Sequence, residues 1–316
     1  MTSNKVIVFG PTGNVGSATA LAAQRHGAKV FLAMRDPQKS IPDISATQEQ
    51  EGGFERVQAD LTNPETIHAA VSQTGAKHAF IYLSFGPPQV TRLAIETLKA
   101  AGVEFVVFLS SLSVQGNPAS IPPSEIIPWA HAQAEIALAD VFGADGYAAV
   151  RPGAFATNLL QYKDMIAAGT VKLPSPGARC DYILPEDIGS VCGALLAKGP
   201  SALDAQKTEK NAIYLCGPRR ISQGDAIEAI ANAIGKHAKV EDFADEQEAV
   251  EYITKGLGLP EVGARYLWKA MKELEETDAG FVNIDFEEAV ANVQKYGGKA
   301  PTDIQKWIET NKAKFI

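Results

Sequence analysis

The sequence predicts an α/β protein with a doubly wound parallel sheet, followed by a smaller and mainly helical C-terminal domain. Through the first half of the 316 residues, short runs of β-branched and aromatic residues alternate with helical patterns, which is typical of consecutive βαβ units. These runs are apolar nearly throughout, as expected of strands that helices cover on both faces. After Arg151 the pattern changes to loops rich in Pro and Gly and to acidic helices.

Six strands are predicted in the first half, at 5–9, 29–33, 54–58, 78–83, 104–109 and 146–150. Helices are predicted at 15–26, 65–72, 90–101 and 130–142, and Gly102 and Gly143 follow the last two, as helix C-termini favour. We expect residues 1–152 to form a nucleotide-binding domain. Residues 153–316 are expected to form a smaller region that binds a substrate or partner, with a strand at 211–216 returning to the first sheet.

Composition and charge exclude several classes of protein. The net charge of −8 and the absence of a basic block argue against nucleic acid or anionic membranes as partners. No apolar stretch approaches the roughly 18 residues that a membrane span needs. Cys180, Cys192 and Cys216 lack metal-binding or CxxC spacing, so we expect buried, reduced thiols, no metal site and a cytoplasmic protein.

The first strand runs directly into a glycine-rich turn, GPTGNVG at 10–16, and then into an alanine-rich helix. This arrangement places free backbone N–H groups and the positive end of a helix dipole against a pyrophosphate. Gly10 would permit the turn, Gly13 would let the phosphates approach, and Gly16 would let the helix lie close to the strand. The residues predicted to contact the cofactor here are Gly10, Thr12, Gly13, Asn14 and Val15.

The end of the second strand predicts which dinucleotide binds. An acidic residue there would accept hydrogen bonds from a ribose 2′-hydroxyl, whereas Arg35 would attract a 2′-phosphate, and Lys39 would add a second positive charge. Asp36 is assigned to the turn before Pro37. NADP(H) is therefore favoured over NAD(H), and the alternative is that Arg35 is a solvated surface charge.

The remaining strand ends complete the predicted cofactor groove, because ligands bind at the carboxyl edge of doubly wound sheets. Asp60 would meet the adenine amino group and Leu61 would cover the adenine face. The other residues assigned to this groove are Ser84, Phe85, Gly86, Ser110, Pro152, Gly153 and Phe155.

Several segments together resemble the NmrA-like branch of the atypical short-chain dehydrogenases/reductases, to which isoflavone-reductase-like proteins are related. They are GPTGNVG, LSSLSVQGN, RPGAFATNLL and YILPEDIGS, and the resemblance covers most of the chain. It implies a Rossmann domain that binds NADP(H) and a C-terminal domain that recognises a substrate or a partner protein. The family contains both reductases and non-enzymatic redox sensors, so the resemblance leaves catalysis open.

The catalytic residues of ordinary short-chain dehydrogenases are absent, since no Tyr has a Lys four residues later. Many NmrA-like reductases instead carry a Lys four residues before a Glu, and aligning WAHAQAE on that pattern places His131 at the Lys and Glu135 at the Glu. His131 would act as a general acid or hold the nicotinamide ribose. Alternatively, it is a polar helix residue in a protein that has lost catalysis. Glu135 is interpreted as structural, exposed on the helix or capping it.

Further residues are predicted around the substrate. Ser111 occupies the place of the substrate-positioning serine of the short-chain family, or else it only ends a strand. Trp129, Phe155, Asn158 and Tyr162 would line the substrate mouth, although the last three equally fit an interdomain core. Asp187 is interpreted as an acid at a helix start and not as a catalytic group.

These features predict an NADPH-dependent reductase that transfers a hydride to a C=O, C=N or activated C=C of a small aromatic or heterocyclic metabolite. The alternative is a non-catalytic NADP(H) sensor that acts through a protein partner. In that case the acidic helices around 241–252 and 272–277 are the candidate contact surface.

Overall fold

The computed structural model describes residues 4–84, 86–205 and 209–316. Its main sheet contains seven parallel strands, which are β1 (Lys5–Phe9), β2 (Lys29–Met34), β3 (Glu55–Gln58), β4 (His78–Tyr82), β5 (Phe105–Leu109), β6 (Tyr147–Pro152) and β9 (Ala212–Leu215). Their order in the sheet is β3-β2-β1-β4-β5-β6-β9. The predicted doubly wound parallel sheet is confirmed.

Two small ribbons lie outside this sheet. β7 (Thr170–Leu173) pairs in parallel with β11 (Lys239–Asp242), and β8 (Arg179–Cys180) pairs antiparallel with β10 (Ile221–Ser222). The helices are α1 (Asn14–Arg25), α2 (Ala46–Gly52), α3 (Pro64–Thr74), α4 (Pro88–Ala100), α5 (Ile126–Phe142), α6 (Lys163–Ala168), α7 (Pro185–Lys198), α8 (Gln223–Ala233), α9 (Glu246–Leu257), α10 (Glu261–Thr277), α11 (Phe286–Gly297) and α12 (Ile304–Asn311).

Helices cover both faces of the sheet. Apolar residues of α1, α7 and α11 pack on one face, and those of α3, α4 and α5 pack on the other. α7 lies very close to α1, because a Cβ added at Gly189 or Gly193 would overlap Ala18 or Ala22. Residues beyond 152 therefore supply a strand and two helices to the sheet layers. The rest of the C-terminal region, with α8 and α12, has an apolar core of its own.

Several helix boundaries differ from the prediction by one to four residues, and the starts of α3 and α5 have local reasons. α3 begins at Pro64, because the Asn63 side chain accepts the Glu65 N–H and Pro suits the first helical position. α5 begins at Ile126, four residues before the predicted start, and includes Pro128. A proline is tolerated there because the N–H groups of the first turn have no acceptor within the helix.

The three cysteines, Cys180, Cys192 and Cys216, are buried free thiols, as composition and spacing indicated. Within the described ranges, no helix is long and apolar enough to cross a membrane. The same part of the chain holds no cluster of three or more His, Cys, Asp or Glu side chains with the geometry of a metal site.

Candidate functional site

The three glycines of the turn, Gly10, Gly13 and Gly16, differ in what the fold requires of them. Gly10 adopts a left-handed φ of +70°, and a Cβ on Gly16 would overlap the Gly10 carbonyl oxygen, so the fold itself requires both glycines. Gly13 differs, because its φ of −92° suits any residue and an added Cβ would meet only the Gly10 carbonyl oxygen at 3.5 Å. Nothing in the described protein requires a glycine at position 13, so the free space there is available to a ligand.

The first turn of α1 leaves backbone donors free. Gly13 is the residue before the helix, and no side chain in the described ranges caps it. Gly13 and Asn14 are exposed, whereas Val15 is buried and Thr12 is half-buried. Uncapped N–H groups at a helix N-terminus attract an anion.

The loop after β2 presents two cations. Arg35 and Lys39 are exposed, and neither forms an ion pair with any residue that the structure describes. Arg56 fixes this loop, since its Nη1 donates to the carbonyl oxygens of Pro37 at 2.6 Å and Lys39 at 2.9 Å. The rest of its guanidinium binds Glu49. The role of Arg56 in fixing this loop was not predicted, because a single Arg within a strand belongs to no sequence pattern that marks such a role.

The strand ends beside this loop differ in how accessible they are. As expected, the Asp36 carboxylate accepts the Gln38 N–H at 2.9 Å and forms the turn. Asp60 is half-buried, and one of its oxygens accepts the N–H and the hydroxyl of Thr62. Leu61 is only 7% exposed and packs into the core, which leaves little of its surface for an adenine.

The loop after β4 is described only in part. Ser84 is half-buried and Gly86 is exposed. Phe85 lies outside the described residues, so its assignment to the cofactor groove stays a prediction.

A buried polar network lies beneath the ends of β5 and β6. Glu135 is 3% exposed and Arg151 is 2% exposed, and their side chains form a bidentate ion pair. The Ser110 hydroxyl donates to Glu135 at 2.5 Å, Arg151 donates to the Tyr214 hydroxyl at 2.6 Å, and Tyr214 donates to the Val114 carbonyl. Burial lowers the pKa of Arg151, but the hydrogen bonds and charges of Glu135 and Tyr214 together outweigh burial and raise that pKa overall.

This network corrects the interpretation of Glu135. The carboxylate is structural as expected, but it is neither exposed nor a helix cap, because Arg151 neutralises it inside the protein. Ser110 is likewise buried, and its hydroxyl is already occupied by Glu135. The assignment of Ser110 to the cofactor groove stays a prediction.

His131 lies one helical turn before Glu135, half-buried against Phe108 with 6.3 Å between the ring centroids. Its Nδ1 is 2.9 Å from the Ile127 carbonyl oxygen, and a carbonyl only accepts, so Nδ1 carries the hydrogen. Burial lowers the pKa of His131, with the Ile127 bond and the Glu135 charge opposing this shift. The imidazole is thus neutral near pH 7 and presents Nε2 as an acceptor, which favours the ribose-holding role over the general acid.

The serine and tryptophan near His131 have local surroundings of their own. The Ser111 hydroxyl bonds the Ser113 hydroxyl at 2.8 Å and accepts the Ser113 N–H at 3.2 Å. This bonding fits a serine that shapes a turn, and the substrate-positioning role stays a prediction. Trp129 is half-buried at the start of α5.

The segment after β6 is held by an acid that the sequence did not single out. The buried Asp181 carboxylate accepts the N–H of Ala154 at 2.9 Å and that of Gly217 at 3.1 Å, which joins the ends of β6 and β9. Burial raises the pKa of Asp181 to about 6, against the lowering effect of these hydrogen bonds. Pro152 is buried, and Gly153 faces the same carboxylate too closely for a Cβ.

The four residues predicted at the substrate mouth do not share one environment. Asn158 is exposed, and Phe155 is half-buried and forms a bridge with Ile183. Tyr162 is 6% exposed, with its ring stacked on Tyr252 at 6.4 Å between centroids. Burial also raises the pKa of Tyr162. Tyr162 therefore lies in the apolar core of the C-terminal region itself, whereas the alternative predicted for this residue was a core between the two domains.

Asp187 occupies the helix start that was expected of it. It lies in the first turn of α7, fully buried, where it accepts the Thr302 N–H at 2.7 Å and pairs with Lys299 at 2.8 Å. The carboxylate thereby holds the segment before α12 against the sheet domain.

Comparisons with known proteins agree with this architecture. The model of the NmrA-like family matches residues 2–308. The nitrogen metabolite regulation-like protein bik4 of Gibberella fujikuroi is 38% identical over 320 residues, which cover 97% of this chain and 96% of bik4. These two findings confirm the resemblance that the sequence motifs indicated.

Solved structures of low identity share the fold. The NADPH-dependent quinone oxidoreductase QOR2 of Escherichia coli superposes with a TM-score of 0.69 at 18% identity, covering 97% of this chain and 98% of its own. The negative transcriptional regulator NmrA superposes with a TM-score of 0.70 at 14% identity, covering 98% and 95%. The same fold is thus found in a reductase and in a regulator.

Proposed function

The chain belongs to the NmrA-like family, and on that premise we propose that it binds NADP(H) on the glycine turn and acts as a reductase. The observation that carries the proposal is the free space at Gly13, beside the uncapped first turn of α1. A pyrophosphate there would accept hydrogen bonds from the free N–H groups of that turn and would be stabilised by the helix dipole.

The preference for NADP(H) is argued from charge. Arg35 and Lys39 are exposed on a loop that Arg56 fixes through two backbone carbonyls. A 2′-phosphate would pair with the free Arg35 guanidinium, since a planar guanidinium binds phosphate in bidentate fashion. Because no acid in the described ranges neutralises Arg35, its charge stays available to the cofactor.

The reduced nicotinamide supplies the hydride when it is bound. Around it, His131 would accept a hydrogen bond from a ribose hydroxyl at Nε2, because Ile127 fixes the hydrogen on Nδ1. The neutral imidazole has no proton to donate at Nε2, so the chain does not provide a strong acid at this position. The proposed substrate is therefore a small aromatic or heterocyclic electrophile, and an iminium C=N fits best because its charge makes prior protonation unnecessary.

A redox sensor is the second candidate, and the name of bik4 favours it, since that relative is a regulation-like protein. A sensor would use the same cofactor site without turnover. It would present a C-terminal surface, such as acidic α9, to a protein partner, and the occupied cofactor would alter that contact.

Once binding of NADPH has been shown, a measurement of turnover distinguishes the reductase from the sensor. Oxidation of NADPH is followed at 340 nm with a panel of iminium ions, neutral imines, ketones and enones of matched ring size. The reductase proposal predicts consumption with at least one panel member, and faster consumption for an iminium than for the ketone of the same ring. Binding without turnover across the panel, together with a partner interaction that differs between NADP+ and NADPH, supports the sensor.

A further inference from the structure

Tyr82 ends β4 at the point where the strand order of the sheet reverses, between β1 and β4. Doubly wound proteins bind ligands in the crevice at this point. The side chain is 39% exposed, and no other Phe, Tyr or Trp in the described ranges is as accessible to solvent. An exposed aromatic ring at the carboxyl edge of a central strand is placed to contact a ligand.

The ring lies over the start of the glycine turn. A Cβ added at Gly10 would meet the Tyr82 ring, with Cε1 at 2.5 Å, Cδ1 at 3.1 Å and Cζ at 3.2 Å. The ring therefore covers Gly10 and holds the hydroxyl at the edge of the turn on which the dinucleotide is proposed to bind.

The hydroxyl lies in the electric fields of two other groups of the proposed site. Burial raises the pKa of Tyr82, the charge of Arg35 opposes this rise, and the charge of Asp60 adds to it. Gly10, over which the ring lies, donates its N–H to the Ala33 carbonyl oxygen at 3.2 Å. Ala33 lies two residues before Arg35, so the ring lies where the ends of β1 and β2 meet. Over residues 4–84, 86–205 and 209–316, the structure shows no hydrogen-bond partner for it.

We propose that the Tyr82 hydroxyl donates a hydrogen bond to the 2′-phosphate of NADP(H), beside the Arg35 guanidinium, and that Tyr82 is a specificity-determining residue. This inference rests on the proposed function, since it needs a dinucleotide on the glycine turn. A phenol donates one hydrogen bond, and a bond to a charged group is stronger than a neutral one. Arg35 and Tyr82 would then share the 2′-phosphate between strands β2 and β4.

The test compares wild type with Tyr82→Phe, which keeps the ring over Gly10 and removes only the hydroxyl. Dissociation constants are measured by fluorescence titration with NADPH and NADH, and by competition with 2′,5′-ADP and 5′-AMP. We expect Tyr82→Phe to raise the dissociation constants of NADPH and 2′,5′-ADP about tenfold, as the loss of one hydrogen bond to a charged group implies. NADH and 5′-AMP should stay within about twofold of wild type on the same reasoning.

A control variant and a folding measurement distinguish loss of the hydroxyl from a general effect on the protein. Leu93→Ala removes an exposed apolar side chain from α4 and should leave all four constants unchanged, and thermal unfolding verifies that each variant is folded. The inference is wrong if Tyr82→Phe binds NADPH as tightly as wild type, or if the substitution weakens the binding of NADPH and NADH equally. In that case the ring only packs against Gly10. Failure of wild type to bind NADPH would overturn the proposed function itself. This outcome is therefore distinguishable from failure of the inference about Tyr82 alone.

Discussion

Arg151 binds the Glu135 carboxylate in bidentate fashion inside the protein, with 2.5 Å between Nη2 and Oε2 and 3.0 Å between Nε and Oε1. The pair joins β6 to α5 one helical turn beyond His131. Removing one partner of a buried pair leaves the other charge without compensation, which costs about 3–5 kcal/mol. Arg151→Met and Glu135→Gln should therefore each lower the free energy of unfolding in urea by a few kcal/mol.

The double variant provides the control for this prediction. Glu135→Gln with Arg151→Met removes both charges, so it should recover part of the stability that either single variant loses. Additive losses in the double-mutant cycle would contradict a coupled pair.

The two glycines of the turn should respond differently to alanine. A Cβ at Gly13 meets only ordinary contact, so Gly13→Ala should change stability by less than about 1 kcal/mol while weakening NADPH binding. Gly16→Ala forces the Cβ onto the Gly10 carbonyl oxygen and should destabilise the fold by about 2 kcal/mol or more. Thermal unfolding and NADPH titration of both variants check this. A Gly13→Ala protein with wild-type affinity would argue against a phosphate at that position.

Reversing the charge of Arg35 should change the cofactor preference. Arg35→Glu loses a phosphate contact worth about 2 kcal/mol, so NADPH binding should weaken about thirtyfold while NADH binding is kept or improved. Lys255→Glu is the matched control, since Lys255 is an exposed cation on α9. Equal weakening of NADPH by both variants would show that only the net charge matters.

His131 should make stability depend on pH in a known direction. Burial lowers its folded pKa below the usual 6.5, so the unfolded chain binds more protons as the pH falls. Its stabilising contribution is present above pH 6.5 and is lost as the pH falls through the folded value. His26 and His78 also have lowered pKa values, so the comparison is made between wild type and His131→Gln. As the pH falls below 6.5, the free energy of unfolding of wild type should decrease relative to that of His131→Gln. A difference between the two proteins that does not change with pH would contradict a neutral His131.

Asp181 should act in the opposite direction. Its folded pKa of about 6 lies above the unfolded value, so the folded state binds more protons between about pH 4 and pH 6. Stability from this group therefore falls as the pH rises through that window, by about 1 kcal/mol between pH 5 and pH 7. Urea unfolding of wild type and Asp181→Asn at the two pH values measures it. A difference that does not change with pH would contradict the raised pKa.

The glycine turn and the strands could be predicted because their signals are local. A strand followed by three spaced glycines has few alternative structures, and the exposed Arg35 lies where its place after β2 indicated. Glu135 could not be placed in the same way, since its partner Arg151 is sixteen residues away on another element. The surroundings of Tyr162 depend on packing within the C-terminal region, and those of Asp181 depend on how that region meets the ends of β6 and β9. No sequence period encodes either arrangement.

The most direct test of the central claim is a fluorescence titration of the wild-type chain and of Gly13→Asp with NADPH. We expect saturable binding by wild type, tighter for NADPH than for NADH, and at least about a tenfold loss in Gly13→Asp, because a carboxylate would occupy the place proposed for the pyrophosphate. Unchanged binding in a folded Gly13→Asp protein, or no binding by wild type, would contradict a dinucleotide site on the turn from Gly10 to Gly16.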